Sequence, residues 1–415
     1  MIKRLRRYQT ILGVAWILLL FLIAFSYAMF QGGFVSWFVF YSFLPILVYT
    51  LFVVFYPLRD LQMTRSLNKE ELFANEVLEV SIRIKRRLPI PLFYIVVEDQ
   101  QPTNSLKRQA SWRHGQTKKL FALGFRLNAT LTYSIEAMPR GYYHFDTISV
   151  RTGDIFGFIQ KEKAFAVSSE VIVYPQKLPL RSWKPLNLSY GGQHRSRKSF
   201  ERDLTSISSI RDYTPGDRLS WLDWKATARA NRLVTKEFEL PLNNDVVMAI
   251  DCSQQEQDRE GEGFERAVSL VSALVDRALK TEAKLQFMSI SHHITSINEE
   301  DGDFQRWKIL NHLARIESVK QPRDILKLTA YLQRMTKQVT LVFVTTVASD
   351  ALVLQFNELI SRGLAVECFL VTSKKASQES QYWRGVLSSI GVVTHVVSDG
   401  HDAAFEQAGD SLATS

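Results

Sequence analysis

Residues 245–279 read DVVMAIDCSQQEQDREGEGFERAVSLVSALVDRAL, and the hydrophobic period changes once within them. From Val246 to Ile250 the apolar residues run unbroken, as in a strand covered on both faces. From Phe264 they recur at Ala267, Val268, Val271, Leu274, Val275 and Ala278, which is one face of a helix. The same alternation continues through strands at 285–290, 339–345, 365–371 and 392–397 and helices at 304–316, 325–335, 351–361 and 378–389. A doubly wound α/β fold with a parallel sheet is expected over 241–415. Asp251-Cys252-Ser253-Gln254-Gln255 stands where a nucleotide-binding fold would place G-x-G-x-x-G or a Walker lysine, so no nucleotide cofactor is expected.

Upstream the period is two. Val80, Ile82 and Ile84, then Leu131, Tyr133 and Ile135, then Ile148 and Val150 alternate with polar residues and are separated by turn formers such as Pro139-Arg140-Gly141 and Thr152-Gly153-Asp154. This predicts an antiparallel, immunoglobulin-like β-sandwich over 57–175. Before it, no charged residue lies between Arg7 and Arg59, and the run divides at Gln31-Gly32-Gly33 into 10–30 and 34–56. Each piece matches the ~20 apolar residues that cross a bilayer. A second apolar run so soon after the first does not fit a cleaved signal peptide, so residues 10–56 read as a retained transmembrane hairpin. Its aromatics Trp16, Trp37, Tyr41 and Tyr49 lie too deep for all to be interfacial, and read as lipid-facing or helix-packing. Lys3, Arg4, Arg6 and Arg7, with Arg59 and Arg65 after the second span, predict a cytoplasmic basic tail over 1–9 and cytoplasmic soluble domains.

The net charge is +9, of which four come from the tail. The remainder is too mild to argue for nucleic acid and suits a protein beside an anionic leaflet, with membrane lipid as a partner. Cys252 and Cys368 are the only cysteines, which agrees with a reducing compartment. Residues 176–240 are expected to hold a basic linker, with Arg181, Lys184, Arg195, Arg197, Lys198 and Arg202, followed by a dense charged segment.

Candidate chemistry is sparse. His292-His293, read as adjacent strand residues, would point to opposite faces and could not chelate one zinc ion together. No G-x-S-x-G elbow occurs. Asp251 and Ser253 resemble the start of the D-x-S-x-S motif of von Willebrand factor A domains, but Gln255 replaces the last serine and Thr345-Thr346 stand where an aspartate is expected. One carboxylate does not suffice for a hard cation, so the site reads as degenerate and no metal is expected.

The dense segment is IRDYTPGDRLSWLDWKATARANRLVTKEFEL, residues 210–240. Pro215 and Gly216 form a turn, and the residues after it a short helix with Trp221, Trp224, Lys225 and Ala228 near one face. Arg211 and Arg229 are the natural bidentate partners of Asp217 and Asp223. The expectation is a structural brace of Arg211, Tyr213, Pro215, Gly216, Asp217, Asp223, Trp224, Ala228 and Arg229, with Trp224 packed beneath the turn and no catalytic residue. Hydrolysis by Asp217, Asp223 or Asp251 is the alternative.

Arg211-x-Tyr213-x-Pro215-Gly216-Asp217, followed by Leu222-Asp223-Trp224-Lys225-Ala226-Thr227-Ala228-Arg229, closely resembles the signature of the bacterial domain-of-unknown-function 58 (DUF58) family. Arg140-Gly141-Tyr142-Tyr143, Gly153-Asp154-Ile155-Phe156-Gly157 and Val173-Tyr174-Pro175 resemble its upstream course. The resemblance implies a membrane-anchored protein with a von Willebrand factor A-like domain, associated with a MoxR-type AAA+ ATPase and a transglutaminase-like membrane protein. It further implies an interaction or assembly role in the biogenesis of a membrane or envelope complex.

Overall fold

The computed structural model describes residues 2–104, 106, 117–154, 159–180, 183, 207–214, 217, 219–238, 245–254, 258, 261–281, 284–298, 302–320, 328–332, 339–372 and 378–398. These form two compact units, Met1–Gln176 with Asn311–Arg315, and Lys177–Leu310 with Ile316–Ser415.

The first unit begins with helices α1 (Ile2–Gln31) and α2 (Phe34–Phe55), both long and apolar enough to cross a membrane. Helix α1 runs through the segment expected to be a separate tail. The turn between the helices needs glycine, because Gly32 and Gly33 have φ of 55° and 111°. Ala24 and Ala28 are small enough to bury, and Phe40 packs against Phe21 with ring centroids 5.1 Å apart, whereas Trp16 and Tyr41 face outward.

After a 3₁₀ turn (Leu58–Asp60) come β1 (Gln62–Leu67), β2 (Glu71–Phe73), β3 (Leu78–Lys85), β4 (Ile95–Asp99), β5 (Thr103–Asn104), β6 (Lys118–Phe121), β7 (Asn128–Ile135), β8 (Gly141–Gly153) and β9 (Gln160–Tyr174). One sheet has the order β1-β3-β7, and the other β2-β9-β8-β4-β6 with β5 on β8. Alternate residues of β3, Leu78, Val80, Ile82 and Ile84, share one core with Ile95, Val97, Tyr143, Phe145, Ile148 and Val150 of the facing sheet, which makes the unit a sandwich. It is not wholly antiparallel as expected, since β2 pairs with β9 in parallel. Gly153 has no room for a side chain because a Cβ would collide with the Ile159 carbonyl, and Asp154 closes that loop by accepting from Ile159 N at 2.6 Å.

Two arginines in this unit have a role other than marking topology. Arg65, expected to be a flanking charge, is fully buried with Asp99. Its Nε and Nη2 donate to Asp99 Oδ2 at 3.0 Å and Oδ1 at 2.5 Å, and its Nη1 donates to Phe145 O and Val167 O. Tyr133 donates to Asp99 Oδ2 at 2.7 Å, and burial beside Asp99 pushes its phenol well above the ordinary range, so it remains a donor. Arg65 and Tyr133 belong to one sheet and Asp99 to the other, so the cluster ties the sandwich across its core. Arg86, also buried, donates to Arg126 O, Ile90 O and Gly124 O at 2.7, 2.6 and 2.6 Å.

The second unit holds β10 (Ile207–Asp212), α3 (Trp224–Ala230), β11 (Val234–Phe238), β12 (Val246–Asp251), α4 (Glu262–Lys280), β13 (Leu285–Ile290), β14 (Ile294–Ile297), α5 (Gly302–Arg315, of which Asn311–Arg315 count with the first unit), α6 (Leu328–Leu332), β15 (Thr340–Thr345), α7 (Asp350–Ser361), β16 (Ala365–Val371), α8 (Gln378–Ser389) and β17 (Val393–Val397). The sheet order is β14-β13-β12-β15-β16-β17, parallel except for the edge strand β14. Every residue of β12 and β15 is buried, as expected for strands covered on both sides. Val247, Ala249, Leu341 and Phe343 pack with α6 and α7, and the intervening residues meet the other layer, where α4 lies against β12, β13, β15 and β16.

Strand β14 escaped the sequence reading, because ITSI is short and His292-His293 precede it in a bend closed by Ser291 N to His293 O at 3.2 Å. Part of the expected linker is anchored, with Trp183 buried and donating to Glu367 Oε1 at 2.8 Å. Arg181, Lys184, Arg195, Arg197, Lys198 and Arg202 lie outside the described residues. Cys252 and Cys368 are both buried and are not joined in a disulfide.

Candidate functional site

Strand β10 pairs antiparallel with β11, with Arg211 opposite Thr235 and Asp212 opposite Val234, so the two strands form a hairpin. Between the strands the chain makes a turn and then α3. Arg211 grips Asp217 in bidentate fashion, Nη1 to Oδ2 at 2.9 Å and Nη2 to Oδ1 at 2.8 Å. Thr214 adds its N–H and hydroxyl to Oδ2, each at 3.1 Å. Arg211 and then the Thr214 backbone hold the Asp217 carboxyl down to about 2. Tyr213 N donates to Leu233 O at 2.9 Å, which closes the hairpin above the turn. Pro215 and Gly216 lie outside the described residues.

Asp223 serves a different purpose from the one expected. It caps α3, accepting from Lys225 N and Ala226 N at 3.0 Å each, and chiefly the Ala226 bond keeps its carboxyl below the ordinary range. Thr227 Oγ1 accepts from Val234 N at 3.1 Å, and Asn231 ends the helix at φ 51°. Three of the expected brace members are thus placed differently. Trp224 is 67% exposed instead of packed beneath the turn, and Ala228 is exposed. Arg229 is exposed and, among the described residues, has no ion pair with Asp217 or Asp223. Seven residues of helix are too short to bury a face against a two-stranded ribbon, so its side chains project outward.

The Arg211 and Asp217 side chains remain 39% and 12% exposed, so the pair resembles a surface clasp more than a buried charge pair. Asp217→Ala is therefore expected to lower the thermal midpoint only slightly, and melting curves of the variant and the parent check it. A cooperative loss of folding would show that the clasp holds more than its turn.

The second candidate lies at the carboxyl end of β12, beside the point where the strand order reverses and α/β folds bind ligands. Asp251 is only 1% exposed. Its Oδ1 accepts from Ser253 N at 3.0 Å and Ser253 Oγ at 2.5 Å, and its Oδ2 from Thr345 Oγ1 at 2.8 Å. Thr346 Oγ1 donates to Ser253 O at 2.6 Å. The chain therefore occupies the crevice with its own hydroxyls. Asp258 is not poised as a ligand either, because its two oxygens accept from Glu262 N and Gly263 N at the start of α4. No grouping of three His, Cys, Asp or Glu suited to a metal occurs among the described residues, and Gln255 lies outside them.

Burial raises the Asp251 carboxyl above the ordinary range. The folded state then holds this proton more tightly than the unfolded chain, so the Asp251 contribution is greatest below the unfolded value and declines as pH rises through the folded one. Asp251→Asn removes that titration. The stability of the parent relative to this variant should fall with rising pH above the ordinary carboxylate range, and denaturant titrations at several pH values check it; a constant difference would contradict it.

An apolar helical hairpin with a β-sandwich, and a doubly wound α/β sheet with a self-closed strand end, make up the two units of the chain. Residues 209–367, which begin within β10 and end in β16, match the family described as Protein of unknown function DUF58. The chain is 35% identical over 292 residues to Uncharacterized protein YeaD of Bacillus subtilis (strain 168), covering 70% of this chain and 71% of that protein. It belongs to the DUF58 family. Among solved structures it aligns with an aerotolerance-related membrane protein from Bacteroides fragilis NCTC 9343, at 16% identity and a TM-score of 0.28, over 41% of this chain and 99% of that one. It also aligns with a CARDB domain from Pyrococcus furiosus, at 15% identity and a TM-score of 0.19, over 28% and 92%. At those scores a common fold does not follow for either pair.

Proposed function

We propose that this protein is a membrane-anchored interaction or assembly factor with two transmembrane spans and cytoplasmic domains. Its α/β domain serves as a von Willebrand factor A-like docking module, and its partners are a MoxR-type AAA+ ATPase and a transglutaminase-like membrane protein. The carrying observation is the signature hairpin. Its backbone is held by the Arg211–Asp217 clasp and the Asp223 cap, yet Ile210, Leu219, Trp224 and Leu233 all remain exposed. A rigid frame that presents a tryptophan among exposed apolar side chains suits a protein-binding surface, since tryptophan is enriched at binding hot spots. The strand order with an antiparallel edge supports the von Willebrand factor A-like reading. The commitment of Asp217, Asp223 and Asp251 to a clasp, a cap and a closed strand end favours docking over hydrolysis.

The test is binding of the MoxR-type ATPase from the same genome to the full-length protein in detergent. Saturable binding is expected, and Trp224→Asp should weaken it by about tenfold or more, the loss of one hot-spot side chain. Because Trp224 is exposed, the variant should melt like the parent. Absence of binding by the parent, or equal binding by the variant, would refute the assignment.

A further inference from the structure

At one end of the sandwich two loops are joined to each other, and the first of them meets the apolar hairpin. Residues 86–94, which join β3 to β4, and residues 122–127, which join β6 to β7, are linked by the paired bonds Leu92 N to Gly124 O and Gly124 N to Leu92 O, at 3.3 and 3.0 Å. The first loop reaches α2: Phe93 meets the Tyr49 ring edge-on at 4.7 Å, and Phe93 N donates to Tyr49 Oη at 3.4 Å. Tyr49 is not at the helix end. It lies six residues before Phe55, about 9 Å along the axis. The 22 residues of α2 measure about 33 Å, close to the hydrocarbon thickness, so a hairpin that spans places Phe93 below the membrane boundary.

The composition of the loops fits that depth. Leu88, Phe93, Phe125 and Leu127 are exposed, Phe125 at 71%. Around them Arg59, Lys85, Arg87 and Arg126 are exposed as well. The one carboxylate among residues 57–60, 85–93 and 122–127 is Asp60, which accepts from Arg87 N, Leu88 N and the Tyr56 hydroxyl. Backbone polarity is also dealt with internally, which irregular chain at membrane depth requires. Four of the five N–H groups from Arg87 to Phe93 have partners, Pro89 and Pro91 carry none, and Arg86 takes the carbonyls of Ile90, Gly124 and Arg126. Apolar tips ringed by cations form a surface for the headgroup layer of an anionic leaflet.

We propose that the two linked loops insert Leu88, Phe93, Phe125 and Leu127 into the anionic membrane surface beside the hairpin, so that the sandwich is seated on lipid as well as tethered to it. The proposal rests on the reading that the hairpin spans the membrane. The test uses the full-length chain in vesicles of phosphatidylcholine and phosphatidylglycerol. Because Cys252 and Cys368 are fully buried, a maleimide fluorophore reports only on an introduced thiol. Labels are placed by Phe125→Cys and, as a second tip position, Leu127→Cys. Phe38→Cys within α2 marks the bilayer, and Lys69→Cys marks the opposite end of the sandwich, beyond β1. With lipids brominated near the top of the acyl chains, the labels at 125, 127 and 38 should lose emission and the label at 69 should not. Quenching at 38 with none at 125 and 127 would overturn the seating alone. No quenching at 38 would overturn the membrane-spanning reading, and this proposal with it.

Discussion

Asp99→Ala is expected to destabilise the sandwich by roughly 3–5 kcal/mol, the range for breaking a buried ion pair. Arg65 would keep its charge in the core with neither carboxylate oxygen to meet it, and Tyr133 would lose its acceptor. The cost comes from the orphaned guanidinium more than from the attraction lost. The triple replacement Arg65→Met, Asp99→Leu and Tyr133→Phe should therefore recover most of the loss, because it removes the polar groups together. Thermal unfolding of the detergent-solubilised chain distinguishes the cases. Equal melting of parent and Asp99→Ala would mean that water or another group reaches Arg65.

Arg86→Met is the second large effect, about 2 kcal/mol or more, since it takes the arginine donor from the Ile90 and Arg126 carbonyls, where each loss costs ~1–3 kcal/mol, and leaves Gly124 O with Leu92 N alone. Arg86→Lys should rescue little, because one ammonium cannot present the planar fork that spans three acceptors on two loops. Limited proteolysis beside the melting curve would place the damage, with new cuts expected at residues 86–93 and 122–127. A lysine variant as stable as the parent would show that charge alone holds the loops.

The hairpin and the βα alternation were legible because their periods are long and unmixed, as in the unbroken apolar run of β12 and the helical face of α4. The arginines were not. Arg65 follows Met63 and precedes Leu67 at period two, so its inward position was written in the strand pattern, but a charge beside a membrane segment reads first as a topology signal. Its partner is 34 residues away, a pairing that no local spacing reveals. Arg86 is similar, answering carbonyls 38 and 40 residues distant. In the signature segment a turn brings Arg211 to Asp217, a local event, whereas Asp223 was misassigned because a carboxylate before a helix has nearer donors in the helix N–H groups than in any arginine. The exposure of Trp224 depends on what a seven-residue helix can cover, which composition does not state.

Lys161 lies at the start of β9 and donates to the carbonyls of Val54 and Tyr56, where α2 ends. Burial lowers its pKa, and the last carbonyls of a helix are a favourable place for a cation. Strand β9 then runs fifteen residues to Tyr174, with one bulge in its pairing between Ala166 and Ser169, two residues before the first unit ends. In mechanical terms it is a strut of roughly 50 Å at the rise of an extended chain, laced along its length to β8 and at its far end to β2. A displacement of the hairpin is therefore expected to load β9 rather than a hinge at the end of α2. The strand's opposite end lies two residues before the first unit ends, so such a displacement is expected to reach residue 176 along one paired strand.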